Sequence, residues 1–108
     1  MNDPILKGIA ASQGVAEGTV RIVSDMHQAD GFQEGDVLVA KVTEPSMVMM
    51  INKAAAIVTD FGGLTSHAAI VSRELGVPCV TATKTATQIL RDGMKVRVDG
   101  TKGEVYAL

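Results

Sequence analysis

Ala55-Ala-Ile-Val-Thr-Asp-Phe-Gly-Gly-Leu-Thr-Ser-His-Ala-Ala-Ile-Val-Ser-Arg-Glu-Leu-Gly-Val-Pro78 decides the fold. Ala55 to Thr59 is a continuous apolar run that ends in Asp60-Phe61-Gly62-Gly63, the pattern of a strand entering a glycine turn. Ser66 to Leu75 is rich in helix formers. It stops at Gly76-Val77-Pro78, a terminating glycine followed by a proline that cannot continue the helix. Val77 to Thr81 then reads as strand. Upstream, Asp36 to Val42 is a β-rich run, and Thr43 or Glu44 before Pro45 marks the start of a short helix, Met47 to Lys53. Downstream come a helix over Thr85 to Arg91, a turn at Asp92-Gly93, and a hairpin. Lys95 to Val98 alternates, Gly100 to Gly103 turns and Glu104 to Leu108 returns. At the amino end, Ile5 to Ala11 and Glu17 to Val23 are extended segments, and Val20 and Ile22 alternate with Thr19 and Arg21. Asp25 to Gly35 is polar and reads as a loop. Strands first, strand–helix–strand–helix next and a hairpin last predict an α/β or α+β layered domain, helices packed on sheet, over residues 1–108 as one unit.

The chain has 108 residues. A domain of this size buries roughly 60 to 70% of the surface its unfolded form exposes, enough for one core. Ten Lys and Arg against twelve Asp and Glu give a formal charge of −2 with no run of like charges, so the electrostatic footprint of a nucleic-acid binder is missing. Trp is absent and aromatics make up 3%, which also argues against stacking on bases. Cys79 is the one cysteine, so no intramolecular disulfide forms and a reducing compartment is expected. Neither a secretory leader nor an apolar run of about eighteen residues is visible, and the expectation is a soluble cytoplasmic protein with no membrane partner. A self-contained enzyme acting on two substrates would leave little room for a core.

The densest chemistry lies between Asp60 and Ala69. A strand delivers the chain to two glycines, and a helix starts a few residues later with Thr65 or Ser66 as its cap. Gly62 and Gly63 allow close approach of backbone N–H groups, and the helix start adds unpaired donors and partial positive charge. That is an anion site. His67 falls in the first turn, where the positive end biases an imidazole toward its neutral, nucleophilic form. A nucleophilic nitrogen beside such a cradle suits capture of a phosphoryl group, whose charge the N–H groups and the Thr65 and Ser66 hydroxyls would share. The competing reading of His67 is a surface or capping residue. No Gly-Lys-Thr or Gly-Lys-Ser follows the glycines, which excludes a Walker-type loop. His27, with Asp25 and Asp30 nearby, has no spacing to His67 that supports a metal site, so no metal is expected.

The twelve residues Gly62 to Arg73 closely resemble the phosphohistidine signature of the phosphoenolpyruvate-utilising enzymes: phosphoenolpyruvate synthase, pyruvate phosphate dikinase and enzyme I of the phosphotransferase system. Gly8 to Gly18, Leu38-Val-Ala, Ile57 to Asp60, Arg73 to Pro78, Val98 to Gly100 and Gly103 to Tyr106 extend the resemblance over nearly the whole chain. It implies a swivelling β/β/α phosphohistidine domain. It also implies that His67 is transiently phosphorylated, most simply on Nε2, with Gly62 and Gly63 shaping the cradle. Thr65 occupies the position that is a regulatory phosphorylation site in some dikinases; a hydroxyl contact or cap is its simpler role. By the same resemblance the domain binds no cofactor itself, while Mg²⁺, ATP and phosphoenolpyruvate belong to nucleotide-binding and phosphoenolpyruvate/pyruvate-binding partner domains or subunits. Thr81-Ala82 stands where the family often has Val-Gly, which stiffens that loop.

Other residues read as structural. Met47, Met49 and Met50 are expected in the core, Cys79 as a buried inert thiol, and Arg73 and Glu74 on the solvent side of a helix whose Val71 and Leu75 face inward. Arg73, six residues past His67, should point away from it. Asp60 is expected to form the turn or touch the His67 proton. The leading functional expectation is a phosphoryl carrier, the phosphotransferase component of a larger system and not a complete enzyme, whether free-standing or part of a longer chain. A docking or regulatory module that keeps the motif is the alternative, and a small metal-dependent hydrolase has no ligand set.

Overall fold

The structure, a computed structural model, describes residues 3–24 and 31–108. Its elements in order are β1 (Leu6–Lys7), β2 (Ile9–Ser12), β3 (Val15–Ile22), β4 (Val37–Ala40), a 3-10 turn (Pro45–Met47) running into α1 (Val48–Ile51), β5 (Ala56–Thr59), α2 (His67–Leu75), β6 (Cys79–Thr81), α3 (Ala86–Ile89), β7 (Lys95–Asp99) and β8 (Glu104–Ala107). The expected α/β class and the order of elements hold, with α1 and α3 each three residues shorter and α2 one residue shorter than expected. The Ile5 to Ala11 segment divides at Gly8 into two strands. The expected loop at Asp25 to Gly35 lies largely outside the described residues, as does His27.

Strands β4, β5 and β6 run parallel, with Val37 opposite Ala56, Ala40 opposite Thr59, and Val58 opposite Val80. All their residues are buried, which is why they read as apolar runs: both faces of a parallel sheet are covered. The pleat sends alternate residues to two cores. Leu38, Ala40, Ile57 and Cys79 pack with Met47, Met50, Ile51, Ala68 and Ala69 of the helical layer. Val37, Val39, Ala56, Val58 and Val80 pack with Val96, Val98 and Val105 of the closing hairpin. The layers are therefore sheet, sheet and helices. Strand β3 links the two sheets, since Val15 to Thr19 pairs antiparallel with β7 and Val20 to Ile22 pairs parallel with β4.

The strand order is β1-β8-β7-β3-β4-β5-β6-β2. Its two ends, β1 and β2, are joined by Gly8 alone, so the sheet must fold back until its edges meet. Gly8 makes this contact, donating its N–H to the Gly103 carbonyl at 2.9 Å while a Cβ would stand 2.2 Å from the Thr81 carbonyl oxygen. No other residue type fits there.

Three packing expectations need correction. Met47 and Met50 are core residues, but Met49 is 65% exposed, because it lies on the outer side of a single helical turn. In α2 the buried residues are Ala68, Ala69 and Ser72; Val71 packs partly buried against the same core as expected, but Leu75 is exposed. Small side chains let α2 sit close to the sheet, so the inward face is rotated from the one that large residues suggested. Asp60 serves α3 instead of the glycine turn: its carboxylate accepts from Thr87 N–H at 2.9 Å and Thr87 hydroxyl at 2.6 Å.

The stiff loop after β6 carries a measurable cost. Ala82 has φ +57°, the left-handed region, which disfavours an L side chain by about 1–2 kcal/mol. Ala82→Gly is expected to raise stability by about 1 kcal/mol and the melting midpoint by several degrees, whereas Gly8→Ala should lower stability by about 2 kcal/mol or more. Thermal unfolding of both variants checks the pair.

Candidate functional site

The site stands at the carboxyl ends of adjacent parallel strands, the usual position of functional loops in such sheets. Strand β5 ends at Thr59, whose hydroxyl donates to the Phe61 carbonyl at 2.8 Å, while Phe61 N–H donates to the Lys41 carbonyl beyond β4. The root of the loop is thus fixed on both sides. Gly62 has φ +118°, and a Cβ there would lie 2.9 Å from Ser66 Cβ. The turn closes against the helix cap only because that position lacks a side chain. A Cβ on Gly63 would meet nothing within 4 Å, so Gly63 is not sterically required; its carbonyl accepts from Ser66 N–H and from Ser66 Oγ.

Ser66, and not Thr65, is the N-cap of α2. It is extended, and its Oγ accepts from Ala69 N–H at 3.4 Å and donates to the Gly63 carbonyl at 2.8 Å. Both roles of the hydroxyl are taken by the cap. Thr65 is exposed, and its side chain has no partner among the described residues. The N–H groups of His67 and Ala68 donate to nothing among the described residues, as expected at a helix start.

His67 is the first residue of α2 and partly exposed. Its Nδ1 lies 2.9 Å from the hydroxyl of Thr43, a buried residue on the segment that leaves β4. With the ring proton on Nδ1, the imidazole donates to Thr43 and the Nε2 lone pair is free. The sequence offered Thr43 only as a helix start; in the structure Glu44 is the cap residue of the turn, and Thr43 faces the imidazole. Around the ring, His67, Pro45, Val48, Ile51, Val71 and Leu75 line a shallow cleft of about 260 Å³. Phe61 and Leu64 on the glycine loop are 54% and 55% exposed. Asn52 and Glu74 complete the cleft lining, so the imidazole opens on a surface of mixed apolar and polar character.

Arg73 lies on the solvent side as expected, and it has partners the sequence did not suggest. Its guanidinium donates to the Ala11 carbonyl on β2 at 3.0 Å and to the Leu64 carbonyl of the glycine loop at 2.6 Å. Cys79 is buried, and burial pushes its thiol up to about 11. No group of three or more His, Cys, Asp or Glu among the described residues is arranged to hold a metal ion.

Residues 32–103 match the family model described as PEP-utilising enzyme, mobile domain. The chain belongs to that family. It is 58% identical over 102 residues to the phosphoenolpyruvate synthase of Pyrococcus furiosus, covering 94% of this chain and 12% of that protein. It is 56% identical to the probable phosphoenolpyruvate synthase of Archaeoglobus fulgidus, again over 94% of this chain and 14% of the relative. The mobile domain thus spans less than a sixth of the curated relatives it matches. An NMR structure of Enzyme I superposes with a TM-score of 0.63 at 32% identity, covering 73% of this chain and 33% of that one. The holo-form of aconitase X from Thermococcus kodakaraensis, at TM-score 0.69 and 21% identity over 95% of this chain and 97% of that one, shares the fold. Among the described residues no helix is long and apolar enough to cross a membrane.

Two outcomes follow from this geometry. In Thr43→Val the ratio of neutral His67 tautomers should move toward the Nε2–H form, with a stability loss of about 1 kcal/mol; imidazole ¹⁵N shifts measure it, and an unchanged ratio would contradict the assigned contact. Cys79 stays protonated below its raised pKa of about 11, so the thiolate that alkylates is about a thousandth of the population at pH 8. Its contribution to stability is complete below the unfolded thiol's pKa and is lost as pH rises toward 11. Iodoacetamide should leave the folded chain unmodified at pH 8 and label it once after denaturation.

Proposed function

We propose that this mobile domain is a phosphoryl carrier in which His67 is transiently phosphorylated on Nε2. The observation that carries the reading is the Thr43 contact to Nδ1 at 2.9 Å, made at a helix start whose first N–H groups are unpaired. The Nε2 lone pair attacks phosphorus in the donor, the bond from phosphorus to the donor's leaving oxygen breaks, and that oxygen departs with the electron pair. The Nδ1 proton remains on the ring, and its contact with Thr43 stabilises the positive charge the ring gains. The His67 and Ala68 N–H groups, and the Thr65 hydroxyl, donate to the phosphoryl oxygens and stabilise their negative charge. Gly62 supplies the turn and Ser66 the cap; Gly63 supplies a carbonyl anchor. Ser66 therefore acts through the backbone it holds instead of by its hydroxyl. Attack on the phosphohistidine by an acceptor reverses the sequence.

The donor and acceptor belong to other domains or subunits. Phosphoenolpyruvate or pyruvate occupies one of these, and a nucleotide or other acceptor the second. The lengths of the relatives support this, since the phosphoenolpyruvate synthases extend well beyond the matched segment. In this reading Mg²⁺ belongs to the partner sites, and no step written here passes through it. The exposed Val48 and Leu75 of the His67 cleft, and the exposed Phe61 and Leu64 of the glycine loop, support a domain that docks at each partner and exposes His67 between visits.

The test is incubation with a phosphoenolpyruvate-utilising enzyme whose own histidine has been replaced, with phosphoenolpyruvate and ATP in separate arms, followed by intact mass. One acid-labile, alkali-stable phosphoryl group is expected in at least one arm and none in His67→Ala. If neither donor labels the wild type, or the variant labels equally, the carrier reading is lost and a docking role takes its place.

A further inference from the structure

Arg73 makes two hydrogen bonds that neither helix stability nor burial requires. Its residue is exposed, and no ion pair holds it among the described residues. One arm of the guanidinium reaches the Ala11 carbonyl on β2, a strand paired to β6, at 3.0 Å; the other reaches the Leu64 carbonyl at 2.6 Å. The Leu64 side chain is 55% exposed, so its burial does little to hold this stretch of loop. Arg73 does so from α2, braced by its other hydrogen bond to Ala11 on β2.

The carbonyl it holds has a specific position in the chain. In an α-helix each N–H bonds to the carbonyl four residues earlier. If α2 wound back by one turn, His67 N–H would pair with the Gly63 carbonyl and Ala68 N–H with the Leu64 carbonyl. Both acceptors are engaged elsewhere, Gly63 by Ser66 and Leu64 by Arg73. The extended backbone of Ser66 ends the helix, and the Arg73 bond directs the Leu64 carbonyl toward the guanidinium; the two N–H groups stay unpaired.

We propose that Arg73 is a positioning residue for phosphoryl transfer: by drawing the Leu64 carbonyl toward β2, it keeps the Ala68 N–H open to the phosphoryl oxygens and sets how the glycine loop presents His67. This rests on the carrier reading above. The planar fork of the guanidinium is needed because two carbonyls from different elements are bridged at once; a lysine keeps the charge but loses that fork.

The test uses the 108-residue chain and potassium phosphoramidate, a chemical phosphoryl donor that needs no partner. Rates of His67 phosphorylation are measured for wild type, Arg73→Met and Arg73→Lys, alongside thermal unfolding and the amide resonances of His67 and Ala68. Both variants are expected to react about fivefold or more slowly, to melt within a few degrees of wild type, and to show displaced Ala68 amide signals. Should Arg73→Met fail to fold, Arg73→Lys decides. A lysine variant that reacts at the wild-type rate would mean that charge alone matters, and the proposal would be overturned; so would wild-type rates in both variants. A wild-type rate no faster than that of a histidine model peptide would overturn the carrier reading and this inference with it, whereas fast wild-type and variant rates together would remove only the role of Arg73.

Discussion

Strand β5 is hydrogen bonded on both sides, to β4 and to β6, and buried on both faces. Burying Ile57 and Val58 contributes about 1.5–3 kcal/mol each, and the pleat turns one toward the helices and the other toward the hairpin. A strand so enclosed has no freedom in register, because a slip of one residue would exchange the two faces. It also ends in buried polar groups, Thr59 and Asp60, which would be costly without partners. Thr59 bonds to the loop it leads into, and Asp60 to Thr87 at the start of α3. The position from which the glycine loop departs is therefore set by the core itself.

From that fixed root the loop runs outward to an exposed tip and returns to a helix that begins at His67. Thr43 arrives from the end of β4, the next parallel strand, so the imidazole is held by two neighbouring strand ends of one sheet. Arg73 ties the tip back to β2. The result sets a partly exposed imidazole, with Nδ1 against the Thr43 hydroxyl, beside unpaired backbone donors. A carrier that meets more than one partner needs both properties, since pre-organisation lowers the barrier and exposure permits repeated docking.

What the sequence made legible was local. Gly62, Ser66 and His67 declare a turn, a cap and a helix start within a few residues, and the runs at β4, β5 and β6 declare strands. Thr43 could not be found this way, because 24 residues separate it from His67 and only the parallel pairing of β4 with β5 brings them together. Arg73 was set aside because helical geometry rotates it away from His67; its reach is to the loop before the helix, which no helical wheel includes. Met49 and Leu75 were assigned inward by side-chain type, yet small Ala68 and Ala69 are what bring α2 onto the sheet. Asp60 lay beside the glycines in sequence but serves a helix that starts more than twenty residues later.

In the proposed carrier role Thr43 commits Nδ1 and leaves Nε2 as the nucleophile. The most direct measurement is the position of the phosphorus on the ring, read from two-dimensional ¹H–¹⁵N and ³¹P NMR of the phosphorylated, ¹⁵N-histidine-labelled chain. A single phosphohistidine at His67, with the P–N bond at Nε2 and a protonated Nδ1, is expected. Phosphorylation at Nδ1, or on a residue other than His67, would contradict it.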